Sequence, residues 1–292
     1  MRRSWIILVA VLALSACTEK SPRPPQEVLS RAANAVPSLL SARFDANINL
    51  EGLVADQKVM ATSTVKGRLQ DAGTQLQFVI DGKGSVGDIS LEGSIEWIVL
   101  PSQEIYANVY ALTVDPAPVF LPFVQNMIGQ WVQVSKGHDL PQPVTPDPRL
   151  LRAQSEVITV SKDHGLVSLH GRKAYHYTIA IDQEKLIKFL RSTVQGEEKF
   201  DEAAMRSVIA SIKAEGELWI DTETFFIHQI LWNIEKTNGE ETLWDLTAKI
   251  EIYDHNTAPP ISPPTNALPL SESIPIAPIP EEDILQSLLK TP

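Results

Sequence analysis

Residues 43–50 read Arg-Phe-Asp-Ala-Asn-Ile-Asn-Leu, and their side chains alternate strictly between polar and apolar. Phe44, Ala46, Ile48 and Leu50 fall on one side of an extended chain, whereas the residues between them fall on the other. A period of two over eight residues predicts a β-strand with one dry side and one wet side. Such strands usually belong to antiparallel sheets.

The same alternation recurs along the chain, for example at residues 89–99 and 242–253. Turn sequences such as Asp81-Gly82-Lys83-Gly84 separate the alternating stretches. About ten strands are predicted in all. Four helices are also predicted, over residues 26–40, within 116–129, after the N-cap candidate Asp182, and over 200–213. The pattern indicates an α+β fold, in which helices cover the dry face of one large antiparallel sheet.

The N-terminus has the anatomy of a secretory signal peptide. Arg2 and Arg3 precede an apolar run from Trp5 to Leu14, which is too short to span a bilayer as a helix. Leu14-Ser15-Ala16-Cys17 then resembles the bacterial lipoprotein signal, in which residues 1–16 are removed and the Cys is lipidated. An ordinary secretory signal with an incidental Cys is the alternative. Cys17 is the only Cys of the chain, and this favours lipidation.

Charge and composition indicate what the rest of the chain can bind and how it is divided into segments. With Arg2 and Arg3 removed, the 25 basic residues fall to 23 against 36 acidic ones, a formal net charge of −13. Such a charge argues against nucleic-acid binding. We expect a lipidated Cys and polar tether at 17–25, one folded domain at 26–257, and a mostly disordered Pro-rich tail at 258–292.

The chemistry-bearing residues form no catalytic signature. No Gly-x-Ser-x-Gly sequence is present, the six His lack metal-site spacing, and the carboxylates fall on the wet sides of strands. We therefore expect no enzyme, no metal and no cofactor. His228 shares strand parity with Ile230 and Trp232. It is predicted to be either a hydrogen-bonded core residue or a polar handle for a lipid headgroup.

The segment 116–129 is the strongest candidate for a binding element. It is apolar nearly all round, so it either lies buried as a plug or flanks a ligand. Phe120, Phe123 and Met127 would suit a lining that tolerates ligands of different shape. Both interpretations remain open from the sequence.

Several stretches together resemble the LolA-like superfamily of lipoprotein carriers, and more closely its LppX/LprG-type lipoproteins. The resemblance spans roughly residues 26–257 and rests on the order and texture of the elements. The stretches are Ser41-Ala42-Arg43-Phe44, Glu104-Ile105-Tyr106-Ala107 with Gly129-Gln130-Trp131-Val132-Gln133-Val134, Tyr175-His176-Tyr177-Thr178-Ile179, and Gly216-Glu217-Leu218-Trp219-Ile220-Asp221. The resemblance implies a half-barrel wrapped around helices, with an apolar cavity between sheet and helices that carries or senses acyl chains.

The expected function is that of an envelope lipoprotein that binds or transfers an acylated lipid or lipoprotein, such as one with a palmitate-length chain. The alternative is an anchored structural or interaction module with a filled core. We expect a monomer, anchored through Cys17 to the outer membrane if one is present, because Thr18 rather than Asp follows the Cys. The ligand-binding candidates are Phe78, Trp97, Phe120, Phe123, Val124, Met127, Phe189, His228 and Trp232.

Overall fold

The computed structural model describes residues 20–54, 56–102, 104–119, 121–135, 157–193, 201–239 and 241–270. Twelve strands form one sheet in the order β12-β6-β5-β4-β3-β2-β1-β11-β10-β9-β8-β7. The strands are β1 (Ser41–Val54), β2 (Gln57–Gln70), β3 (Gln75–Val86), β4 (Ile89–Val99), β5 (Ile105–Asp115), β6 (Trp131–Ser135), β7 (Ile158–Leu169), β8 (Arg172–Ile181), β9 (Ile212–Asp221), β10 (Ile227–Asn238), β11 (Glu241–Tyr253) and β12 (Leu268–Pro269).

The sheet is therefore larger than the expected ten strands, and it is mixed. Neighbouring strands pair antiparallel, except that the two-residue β12 runs parallel to β6. The edge strand β7 carries two register irregularities against β8, after Val160 and after Asp163. The regular strand geometry of this edge is thus interrupted at two points along its length.

Four helices are described: α1 (Pro25–Ala35), α2 (Leu121–Gln125), α3 (Gln183–Thr193) and α4 (Glu202–Ala210). The predicted cap of α3 is confirmed, because the Lys185 backbone N–H donates to Asp182 Oδ1 at 3.1 Å. The described part of the segment 116–129 contains the five-residue α2, a short helix as its irregular apolar run predicted. None of the helices in the described ranges has the length and hydrophobicity to cross a bilayer.

The strand registers join the dry sides of the strands into one continuous face. Val65 of β2 lies opposite Ala46 of β1, and on its other side it lies opposite Ile80 of β3. Ile80 in turn lies opposite Ile95 of β4, and Ala46 lies opposite Ile250 of β11. The predicted alternation is thus confirmed, and apolar residues follow one another from strand to strand.

The sheet bends toward this apolar face, and glycines make the bend possible. A Cβ on Gly67 would lie 2.4 Å from the Gln77 carbonyl oxygen, and one on Gly216 would lie 2.6 Å from the Leu231 carbonyl oxygen. Backbone of the neighbouring strand therefore closes in on the apolar side of each glycine. We call this side the concave face and the polar side the convex face.

Gly67→Ala is expected to lower the free energy of unfolding by about 1–3 kcal/mol, because the added methyl meets backbone that has little room to shift. Gly82→Ala is the matched control, since Gly82 lies on the same face of the next strand. Its Cβ would meet no atom closer than 3.4 Å. Urea unfolding of both variants checks this; equal losses of stability would argue against the crowding.

One end of the concave face is filled by α1. Val28, Leu29 and Ala32 of this helix pack against a buried cluster from β8 and β9. The members of that cluster are no more than 4% exposed; they are Tyr175, Tyr177, Ile179, Leu218 and Ile220. Coverage by a helix is therefore described for this part of the sheet, where the sequence predicted helices over the sheet as a whole.

The first part of the Pro-rich tail packs on the convex face. Ile261 joins a buried cluster with Ile98, Leu100 and Tyr106. The Gln70 side chain forms two hydrogen bonds with the same segment. Its amide N–H donates to the Pro259 carbonyl, and its amide oxygen accepts the Ile261 N–H at 3.1 Å. Residues 258–270 thus form an ordered strap at the start of the tail that composition predicts to be mostly disordered. Residues 271–292 lie outside the described residues.

Candidate functional site

The concave face changes character between its two halves. Under α1 the apolar side chains are buried, whereas along β1–β4, β10 and β11 most of them stay half-buried. The half-buried set on this face is Ile48, Leu50, Val65, Phe78, Ile80, Ile95, Trp97, Trp232, Ile234, Leu246 and Ile250. A row of large apolar side chains that remain partly exposed to solvent forms a surface that can bind another apolar molecule.

The apolar character continues to the rim of the sheet. Val86, Ile89 and Leu91 flank the β3–β4 turn on the concave side and are 44%, 54% and 49% exposed. All three are more exposed than the half-buried apolar residues of this face farther along the same strands. The concave face is therefore open to solvent at the end of the sheet that carries this turn.

The structure brings three of the predicted site residues onto this face. Phe78 and Trp97 are direct cross-strand partners on β3 and β4, and both are half-buried. Trp232 lies on the same face of β10, opposite Gly216, and packs at the edge of the cluster under α1. The pairing of Phe78 with Trp97 places two aromatic residues on neighbouring strands in the half-buried part of the concave face. We call this part the uncovered half, because no buried cluster of the described residues places a helix over it.

The remaining apolar candidates lie elsewhere. Val124 and Met127 are half-buried in and just after α2, the helix beside β5. Phe189 is half-buried on α3. Phe120 and the side chain of Phe123 lie outside the described residues. The helix residues therefore stay predicted ligand contacts, separate from the aromatic pair on the sheet.

His228 occupies a polar cluster at the β9–β10 turn. Its side chain is 10% exposed, and its Nε2 lies 3.1 Å from Asp221 Oδ2. Asp221 also accepts the backbone N–H groups of Glu223 and Thr224 at 2.9 and 2.8 Å. Burial alone would raise the pKa of Asp221, but these hydrogen bonds outweigh it and lower the pKa to about 2. This geometry matches the core alternative for His228, a hydrogen-bonded residue that stabilises a turn.

Sequence reasoning missed a polar network on the convex face. Glu96 is only 9% exposed, although its strand parity placed it on a solvated side. It accepts hydrogen bonds from the Gln77 amide and from the Tyr110 hydroxyl. The bond to Glu96 raises the pKa of Tyr110 to about 12. The signal available in the sequence was weak, since Tyr110 sits beside a register shift between β4 and β5.

A second feature of the convex face is a stack of rings across β7, β8 and β9. His176 lies between His164 and Trp219, with ring centroids 4.3 and 4.4 Å away, and its Nε2 is 2.8 Å from Glu217. These contacts tie three strands together. Within the described ranges, His, Cys, Asp and Glu form no group of three or more that could hold a metal ion.

Comparison with known proteins gives a likeness to solved structures alone. No protein-family model matches the chain. No curated protein matches it either. The lipoprotein LppX of Mycobacterium tuberculosis is similar at 10% identity, with a TM-score of 0.37, over 82% of this chain and all of that one.

Two further structures have lower scores. A putative outer membrane lipoprotein-sorting protein domain from Vibrio parahaemolyticus is 8% identical, with a TM-score of 0.22, over 78% of this chain and 89% of that one. A LolA superfamily protein from Nitrosomonas europaea is 8% identical, with a TM-score of 0.18, over 78% and 91%.

Proposed function

We propose that this protein is an envelope lipoprotein that binds or transfers an acylated molecule along the uncovered half of its concave face. One observation carries the proposal. On the same face of the same sheet, apolar side chains are sealed under α1 but remain half-buried along β1–β4, β10 and β11. An acyl chain lying on that half would give these side chains the apolar neighbour that α1 gives the others.

Hydrophobic burial supplies enough free energy for such binding. Each methylene removed from water contributes about 0.8 kcal/mol, so a sixteen-carbon chain gains on the order of 10 kcal/mol before the cost of association. The face supplies aliphatic and aromatic contacts, including Phe78 and Trp97. A chain held in this way needs no covalent step, and the polar end of the ligand would lie toward the open rim near Ile89.

Lipidation of Cys17 is part of the proposal. Acyl chains on this residue would hold the protein to a membrane outside the cytoplasm, the outer membrane where one is present. Helix α1 begins at Pro25, eight residues after the proposed anchor. The body of the protein therefore lies close to the membrane surface from which an acylated ligand would come or to which it would go.

Native mass spectrometry of the non-acylated protein, starting at residue 18 and purified from its own host, tests the proposal. We expect a bound species that organic extraction releases as an acylated lipid. We also expect saturable uptake of a fluorescent sixteen-carbon fatty acid. Neither bound lipid nor uptake would instead support the alternative, an anchored interaction module with a filled core.

A further inference from the structure

The residues just after the proposed anchor are docked onto the edge of the sheet. The Ser21 hydroxyl donates to Asp163 Oδ1 of β7 at 2.7 Å. Two residues later, the Arg23 guanidinium lies 6.0 Å from the centre of the Phe225 ring and forms an ion pair with Glu27 at 2.8 Å. The polar tether is therefore fixed at its folded end.

A docked tether limits where the membrane can be. Four peptide units join Cys17 to Ser21, and an extended chain covers at most about 3.5 Å per residue, or about 14 Å in total. Strand β7 is the last strand of the sheet, with β8 on one side only. The membrane surface that holds a lipidated Cys17 must then lie within about 14 Å of the point where Ser21 meets β7.

The charges around this point suit an anionic surface. Lys20 and Lys162 are exposed beside the docked tether. Arg172, at the β7–β8 turn, is 62% exposed, but its guanidinium lies 3.7 Å from Asp221 Oδ2 and is already paired. Of the neighbouring carboxylates, Asp163 accepts the Ser21 hydroxyl and the Gly165 N–H, and Glu217 lies against His176. Lys20 and Lys162 therefore present two cations beside the proposed anchor.

We propose that β7 and the β7–β8 turn form a membrane-facing edge, which the docked tether and the cations Lys20 and Lys162 hold against anionic phospholipid headgroups. The inference rests on the lipidation of Cys17, which belongs to the proposed function. It adds an orientation: the sheet meets the membrane by its edge, and the strands farther along the sheet stand away from it.

Site-specific labels on the acylated protein test the orientation. Cys17 is the only Cys and carries the lipid, so one introduced Cys gives one labelling site. Ser168→Cys labels exposed β7, and Thr62→Cys labels exposed β2, six strands along the sheet. In phosphatidylethanolamine–phosphatidylglycerol vesicles with a short-range quencher on the headgroups, we expect the label at 168 to be quenched at least about threefold more strongly. Equal or reversed quenching would overturn the proposal.

Charge reversal separates the cations from the tether. Lys20→Glu combined with Lys162→Glu is expected to reduce quenching at position 168 by about twofold, and high salt is expected to do the same to the parent protein. Lys66→Glu with Lys83→Glu, at exposed convex positions of β2 and β3, is the matched control and should leave the quenching unchanged. If both pairs of substitutions reduced the quenching at position 168 equally, Lys20 and Lys162 would have no specific role in holding this edge to the membrane.

The state of Cys17 is read independently, by the mass of the N-terminal peptide. A peptide without acyl mass would overturn the anchor and with it the orientation. Uptake of a fatty acid by the non-acylated protein would be untouched by that result, so failure of the orientation and failure of the binding proposal are distinguishable.

Discussion

Ile80→Asn is expected to weaken binding of a fluorescent sixteen-carbon fatty acid by at least about tenfold. Ile80 lies in the middle of the uncovered concave face, opposite Val65 and Ile95. An acyl chain over this position would bury the new amide without a hydrogen-bond partner, which costs about 1–3 kcal/mol in protein interiors. Titration of the non-acylated variant against the fatty acid measures the change.

Val79→Asn is the matched control. Val79 precedes Ile80 on the same strand, is half-buried to a similar degree, and points to the convex face. We expect its effect on the affinity for the fatty acid to stay below about twofold. If both variants bind equally well, the ligand does not lie on the concave face.

The stability of the ligand-free Ile80→Asn protein separates a binding face from a filled core. On an open face the amide meets water, so the free energy of unfolding should change by less than about 1 kcal/mol. In a filled core the same substitution leaves an unpaired polar group and a cavity, with a loss well above 2 kcal/mol. Urea unfolding after complete delipidation distinguishes the two, and a large loss would favour the interaction module.

Asp221→Ala is expected to lower the free energy of unfolding by about 3 kcal/mol. The substitution leaves the N–H groups of Glu223 and Thr224 without their acceptor, in a turn whose carboxylate side chain is 5% exposed. It also removes the anion that faces His228. Urea unfolding checks the loss, and Glu223→Ala, an exposed position in the same turn, should change stability by less than about 0.5 kcal/mol. Similar losses of stability in both variants would contradict a specific stabilising role for the Asp221 carboxylate.

The pH dependence of this contribution follows from the direction of the shift. The folded pKa of Asp221, about 2, lies below its unfolded value near 4. The carboxylate therefore stabilises the fold fully above about pH 4, and the stabilisation disappears as the pH falls toward 2. Accordingly, the difference in stability between the parent protein and Asp221→Asn should shrink across this range, and a constant difference would contradict the assignment.

Much of the sheet follows from local pattern, because alternation reports which side chains share a face. The run from Phe44 to Leu50 lies opposite alternating apolar residues of β11, as its period of two predicted. The helix cap at Asp182 could also be predicted, because a side-chain acceptor before a helix bonds a backbone N–H in the first turn of that helix. Features of this kind depend on a few neighbouring residues, which is why the sequence reveals them.

The features that local pattern left open or predicted wrongly depend on distant residues or on irregularities. The turn predicted at residues 81–84, for example, lies within β3. His228 shared parity with Ile230 in the sequence, but a register shift between Ile227 and Gln229 inserts one extra residue and breaks that count. The strap around Ile261 has the composition of a disordered tail, and it is ordered by a cluster whose other members come from β4, the turn after it, and β5. Likewise, only the strand register shows that Phe78 and Trp97 are partners.

The irregular edge of β7 has a consequence for proteins held together on one membrane. Confinement to a surface raises the local concentration of an anchored protein, and a long, straight edge strand would then recruit a second copy through its free N–H and C=O groups. Two interruptions, after Val160 and after Asp163, leave only short runs of such groups. Edge-to-edge pairing through β7 would thereby be disfavoured if the proposed anchor gathers copies of the protein on one membrane.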